Sequence, residues 1–189
     1  FASVNATGAA FTSTYSPTNL TLTAAIAPEI AVEQPASANL DDGTASVDFG
    51  NIATGGSSTS IFKIKNSGND DLTGLGITID GTNSADFSVT ANPTAPVSGP
   101  NGSTTFTVRF APTTTGAKSA ALHIASNDGD ESPFDIALTG TGGTPVRGAL
   151  AINLPAGSTI NVNEEAGAVL IPIIRTGGSD GAVGFSIST

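Results

Sequence analysis

The chain has 189 residues, with 16 acidic against 6 basic, a formal charge of -10, no Cys, no Trp and one His. That balance argues against a nucleic-acid or anionic-membrane surface, and the Cys and His counts exclude disulfides, thiolate zinc sites and multi-His metal centres. With 12% charged residues and a mean hydropathy of +0.14 it is too apolar for a disordered tail, and its 23 Gly, 11 Pro and many Ser and Thr fit a β-protein.

Residues 1–27 read as the tail of a preceding β-domain or a linker, with Phe11, Tyr15, Leu20 and Leu22 on two strands around Ser16-Pro17. No signal-peptide pattern opens the chain, and no stretch approaches the roughly 20 apolar residues of a membrane span. From about residue 28 the period is two. Short strands are expected at Ile30–Val32, Val47–Phe49, Ile61–Lys65, Ile77–Ile79 and Phe87–Val89. Longer ones follow: Thr104–Phe110 with Phe106, Val108 and Phe110 on one face, Ala120–Ala125 with Leu122 and Ile124, and Phe134–Thr139 with Ile136 and Leu138. Asp42-Gly43, Gly55-Gly56, Asn66-Ser67-Gly68-Asn69, Asp80-Gly81, Gly99-Pro100-Asn101-Gly102 and Asp128-Gly129 supply the turns. Seven or eight strands over about 100 residues predict an all-β, antiparallel, immunoglobulin-like β-sandwich at 28–142. Residues 143–148 are a turn-rich linker. A second β-pattern begins at 149 and reaches 189 within the alternation Val183/Phe185/Ile187, so the expectation is a partial second sandwich in a fragment of a longer chain.

Several strings in this order resemble one family. They are Val47-Asp48-Phe49-Gly50, Phe62-Lys63-Ile64-Lys65-Asn66-Ser67-Gly68, Asp86-Phe87-Ser88-Val89, Phe106-Thr107-Val108-Arg109-Phe110-Ala111-Pro112, Ile124–Phe134 and Leu138-Thr139-Gly140-Thr141-Gly142. Together they resemble the choice-of-anchor D domains of bacterial surface proteins, relatives of the Hydin-type immunoglobulin-like modules. The resemblance implies a sandwich in a secreted, often multi-domain protein. Val162-Asn163-Glu164-Glu165-Ala166-Gly167, followed by Ile173-Ile174-Arg175-Thr176-Gly177-Gly178-Ser179-Asp180-Gly181, resembles the start of a Calx-beta domain. That likeness implies that Glu164 stands where some Calx-beta domains carry a calcium-ligating Glu.

Gly177-Gly178-Ser179-Asp180-Gly181 matches G-x-S-x-G, but a nucleophile elbow needs a following helix and a His partner. A strand pattern follows instead, and the only His lies in the other predicted domain, so the string reads as a turn. Asn127-Asp128-Gly129-Asp130-Glu131 is an acidic turn between strands, and Asx-turn chemistry accounts for it. Asp128, Asp130, Glu131 and Glu164 are nonetheless the calcium candidates, with Asp41-Asp42 as a further source of oxygens. Split over two domains, they fall short of the six to eight oxygens calcium takes, so binding should be weak or absent, and no cofactor is expected. His123 should lie on an outer face, and Lys63 and Lys65 read as edge-strand lysines that block aggregation. Without a base–nucleophile pair the chain is not expected to be an enzyme. The reading is a non-catalytic spacer in a large secreted or cell-surface bacterial protein, with adhesion among its roles and neighbouring domains as partners. The alternative is an accessory module of a secreted hydrolase that binds an extracellular glycan or protein.

Overall fold

A computed structural model describes residues 11–15, 20–24, 26–155, 158–161, 165 and 170–184. In chain order the strands are β1 (Phe11–Tyr15), β2 (Leu20–Ala24), β3 (Ile30–Glu33), β4 (Asn39–Leu40), β5 (Ser46–Ala53), β6 (Ser58–Asn66) and β7 (Gly76–Asp80). After a 3-10 turn at Ser84–Asp86 come β8 (Phe87–Ala91), β9 (Ser103–Phe110), β10 (Gly116–Ala125), β11 (Phe134–Gly143), β12 (Ala149–Ile152) and β13 (Ile173–Thr176). Strands β3 to β11 form an immunoglobulin-like β-sandwich. One sheet has the order β5-β11-β10-β7, the other β4-β3-β6-β9-β8. Among the described residues β1 pairs with β2 alone, and β12 with β13 alone.

Alternation builds the core. Along β9, Phe106, Val108 and Phe110 are buried, and along β10 and β11 Leu122, Ile124, Phe134, Ile136 and Leu138 meet them from the other sheet. Phe62 stacks on Phe106 with ring centroids 4.9 Å apart. Phe87 stacks on Phe110 at 4.7 Å, and Phe49 meets Phe87 edge-on at 5.6 Å. The register is locked, because a slip of one residue would bury Arg109 and Asp135. Gly140 takes an inward position on β11, where a Cβ would lie 2.7 Å from the Phe110 ring. The Thr-Gly-Thr-Gly ending of β11 thus makes room for an aromatic side chain.

Three features depart from the sequence reading. β5 pairs with β11 in parallel, so the sheets are not wholly antiparallel. A long connection through β6 to β10 separates these two strands, as a parallel pair requires. Lys63 and Lys65 are not on an edge: β6 is central, and both lysines reach Glu33 of β3, at 3.9 and 3.1 Å. Finally, β4 closes the edge beside β3 as a two-residue strand that no alternation could announce.

The path of the chain sets up the functional question. It comes into the sandwich at Ile30, opposite Asn66 and beside the β10–β11 connection. It leaves at Gly143, opposite Ala53, where the Thr54 N–H donates to the Gly143 carbonyl. Those are opposite ends, and β11 spans the distance between them: ten residues, about 30 Å at the usual rise per residue.

Candidate functional site

Where the chain comes in, two segments far apart in sequence are fastened together. Asn66, fully buried at the end of β6, accepts the N–H groups of Glu29 and Gly68 at 3.2 and 3.0 Å. Its Nδ2 donates to the carbonyls of Asp70 and Val97 at 2.7 and 2.9 Å. Asp128, also buried, accepts the Ile30 N–H through Oδ2 at 2.7 Å. The β10–β11 connection is braced by Ser132, whose hydroxyl donates to the Ser126 carbonyl and accepts the Ser126 N–H.

The bracing gathers charge. One oxygen from each of Glu29, Asp128, Asp130 and Glu131 lies within 4.8 Å of the others. No salt bridge reaches any of the four among the described residues. Burial, and then the charges of Glu29, Asp128 and Asp130, push the Glu131 carboxyl up to about 7. Burial first, then Asp128 and Asp130, raise Glu29 in the same direction. Glu131 Oε2 is out of solvent and has no hydrogen-bond partner among the described residues. Such a cluster holds a shared proton or a cation more readily than four free charges. Four single oxygens are fewer than calcium takes, so water would complete a shell there.

Of the sequence's calcium candidates, Asp128, Asp130 and Glu131 lie close together. Glu164 lies outside the described residues. Asp42 is turned to another task, accepting the Asp135 N–H at 2.6 Å. Glu29 is the member that sequence reasoning missed. It stands 99 positions before Asp128, and the pairing of β3 with β6, together with the Ile30 N–H bond to Asp128, holds it there.

The other polar groups are structural in geometry. His123 lies on the outer face of its sheet, as alternation required, with Nδ1 2.6 Å from Asp135 Oδ1. Its Nε2 is 3.2 Å from Asp80 Oδ1, a charge contact rather than an aligned hydrogen bond. The hydrogen bond to Asp135, then the contact with Asp80, raises the imidazole above its usual range. Lys118 and Asp86 form a buried pair at 3.6 Å. Burial pushes Asp86 up, but the Thr113 N–H and hydroxyl together with Lys118 outweigh it, so the carboxyl is held low. Residues 177–181 form a bend after β13, with Arg175 donating to the Asp180 and Gly181 carbonyls. Residues 182–184, which follow, are not in regular secondary structure.

Against known proteins, the model of the Cep192 domain 4 family matches residues 38–143. A crystallised protein of unknown function from Porphyromonas gingivalis W83 is 15% identical, over 71% of this chain and 66% of its own length, with a TM-score of 0.47. The ASH/PapD-like domain 7 of human CEP192 is 13% identical over 69% of this chain and 98% of that domain, with a TM-score of 0.41. The VesB protease of Vibrio cholerae is 14% identical over 51% of this chain and 30% of the protease, with a TM-score of 0.40. No curated protein matches the chain. At these identities and scores, no activity carries over from the solved structures.

Proposed function

The chain belongs to the Cep192 domain 4 family through residues 38–143, and from that premise we propose that its sandwich is a non-catalytic, in-line spacer of a larger protein. One observation carries the reading: the chain comes in at Ile30 and leaves at Gly143, at opposite ends of the sandwich. A module so threaded adds its full length to whatever it joins. The resemblance of residues 28–142 to choice-of-anchor D modules supports a secreted or cell-surface bacterial parent, adhesive stalks included. In that parent, 1–27 is the tail of a preceding domain, 143–148 a linker and 149–189 part of a Calx-beta-like module. Its partners are the neighbouring domains of the same chain. The alternative is an accessory module of a secreted hydrolase that binds an extracellular glycan or protein. The absence of Trp weighs against a glycan platform. A glycan array and a pull-down with the full chain separate the two. A spacer captures nothing through its loops, whereas a defined glycan or protein ligand would establish the accessory module.

The acidic cluster supports a second reading, in which calcium sits at the incoming joint. The observation favouring it is Glu131 Oε2, buried and without a hydrogen-bond partner among the other carboxylates. Calcium there would bridge Glu29, on the incoming segment, to the β10–β11 connection and stiffen the joint. A four-oxygen site completed by water belongs to the weak class, with Kd of about 10⁻⁴–10⁻³ M. Binding to the folded state at about ten times Kd would stabilise it by about 1.4 kcal/mol. Calorimetry with and without calcium reads this directly. A shift absent from Asp130→Asn supports the site, and an unshifted wild type removes it.

A further inference from the structure

The two outer faces of the sandwich carry opposite charge. Lys63, Lys65 and Arg109, three of the chain's six basic residues, stand at outward positions of β6 and β9 in the five-stranded sheet. The carboxylate beside them, Glu33, is 5% exposed and lies against Lys63 and Lys65, so solvent meets mainly cations. Next to Lys63 on β6, and across from Thr107, Ile61 is 63% exposed. It is the large apolar side chain that strands β3 to β11 leave most open among the described residues.

The four-stranded sheet offers the complement. Ala121 and Ala137 are register partners on its outer face and make a low floor. Asp80 of β7 is opposite Ala121, Asp135 precedes Ala137 by two positions on β11, and Asp48 of β5 is opposite Thr139. Three carboxylates thus lie around the floor, as three cations lie around Ile61; His123, 2.6 Å from Asp135 and 3.2 Å from Asp80, is the one basic group among them and offsets part of their charge.

We infer that the five-stranded face of one copy docks on the four-stranded face of a second copy, with Ile61 on the Ala121–Ala137 floor and Lys63, Lys65 and Arg109 toward Asp48, Asp80 and Asp135. Its five strands hold 28 residues, which at about 3.3 Å rise and about 4.8 Å strand spacing give a face of about 440 Å². That is below the roughly 800 Å² per partner of a standard interface, so the association is weak. The net charge of -10 on each copy opposes approach. At 0.15 M salt that repulsion is screened beyond about 8 Å, while ion pairs in contact are screened far less. Because the faces differ, the contact is heterologous and each copy retains one free face.

Sedimentation velocity on the full chain tests this at 0.15 M salt, from about 10 μM to about 1 mM, the range where weak contacts populate. The wild type should gain average mass steadily with concentration. Ile61→Glu spoils one face and Ala137→Arg the other, both at exposed positions. Each variant alone should remain monomeric, and an equimolar mixture should form a one-to-one dimer that grows no further. Arg109→Glu, also exposed, serves as a second lesion of the basic face if Ile61→Glu fails to fold. A wild type that stays monomeric overturns the inference, whether the basic face then meets another acidic partner or none. Variants that associate like the wild type, or a mixture that forms no dimer, overturn it equally.

Discussion

Replacing Asn66 by Ala is the sharpest probe of how the incoming end is held. The side chain is fully buried and makes four hydrogen bonds, to Glu29, Gly68, Asp70 and Val97. Each such bond contributes about 0.5–1.5 kcal/mol net, and a buried group left without a partner costs about 1–3 kcal/mol. The loss is not the full sum. The Val97 carbonyl keeps the Leu72 N–H, and the Glu29, Gly68 and Asp70 groups are partly buried and within reach of water. A net loss of about 2–4 kcal/mol follows, a large fraction of a small domain's stability. Asn66→Asp separates hydrogen bonding from volume. Its acceptor oxygen still serves Glu29 and Gly68, but its second oxygen faces the Asp70 and Val97 carbonyls as a buried, unpaired charge. Asn66→Asp should therefore be worse than Asn66→Ala at neutral pH and recover on acidification, when the carboxyl regains a donor. Urea unfolding followed by far-ultraviolet circular dichroism reads both, since the chain has no Trp to report. A loss under about 1 kcal/mol for Asn66→Ala, or an Asn66→Asp variant as stable as wild type at neutral pH, would refute the reasoning.

In the core, Phe106→Ala removes a fully buried ring stacked on Phe62 and should cost about 3–5 kcal/mol in the same assay. Gly140→Ala tests the opposite fault, because its Cβ would meet the Phe110 ring at 2.7 Å. Overpacking of that kind costs about 1–3 kcal/mol, and Phe110→Leu should relieve part of it in the double variant. The acidic cluster predicts a pH dependence. Glu131 titrates at about 7 in the folded chain against an ordinary 4.5, so the folded state binds more protons between those values. Its favourable contribution is complete below 4.5 and is lost as pH rises through about 7. Melting temperatures of wild type and Glu131→Gln across that window isolate it. The variant should gain on wild type as pH rises, and parallel curves would show that Glu131 titrates normally.

How far the sequence reached depended on whether the signal was local. Alternation along β9, β10 and β11 marked Phe106, Leu122, Phe134 and their neighbours as core, since a half-buried strand writes its face into every second residue. Leu72 and Val97 are buried too, but they meet across an isolated bridge between loops and show no alternation. Asn66 read as one residue of a polar turn, and nothing local distinguishes a turn Asn from a buried one with four partners. The acidic turn 127–131 was visible as a cluster of oxygens. Glu29 was not, because strand pairing rather than spacing brings it there. The same blindness put Lys63 and Lys65 on an edge: strand order is non-local, and a central strand with a polar outer face writes the same pattern.

The most direct test of the spacer reading measures the distance between the points where the chain comes in and leaves. The chain has no Cys, so Ala27→Cys and Thr144→Cys, both exposed, can carry two spin labels without competing thiols. Pulsed electron–electron resonance on the folded chain should give one narrow distribution at about 30–40 Å, the length of a ten-residue strand plus label reach. A distribution centred below about 20 Å, less than the length of a typical strand, would place the two points at the same end and contradict an in-line spacer.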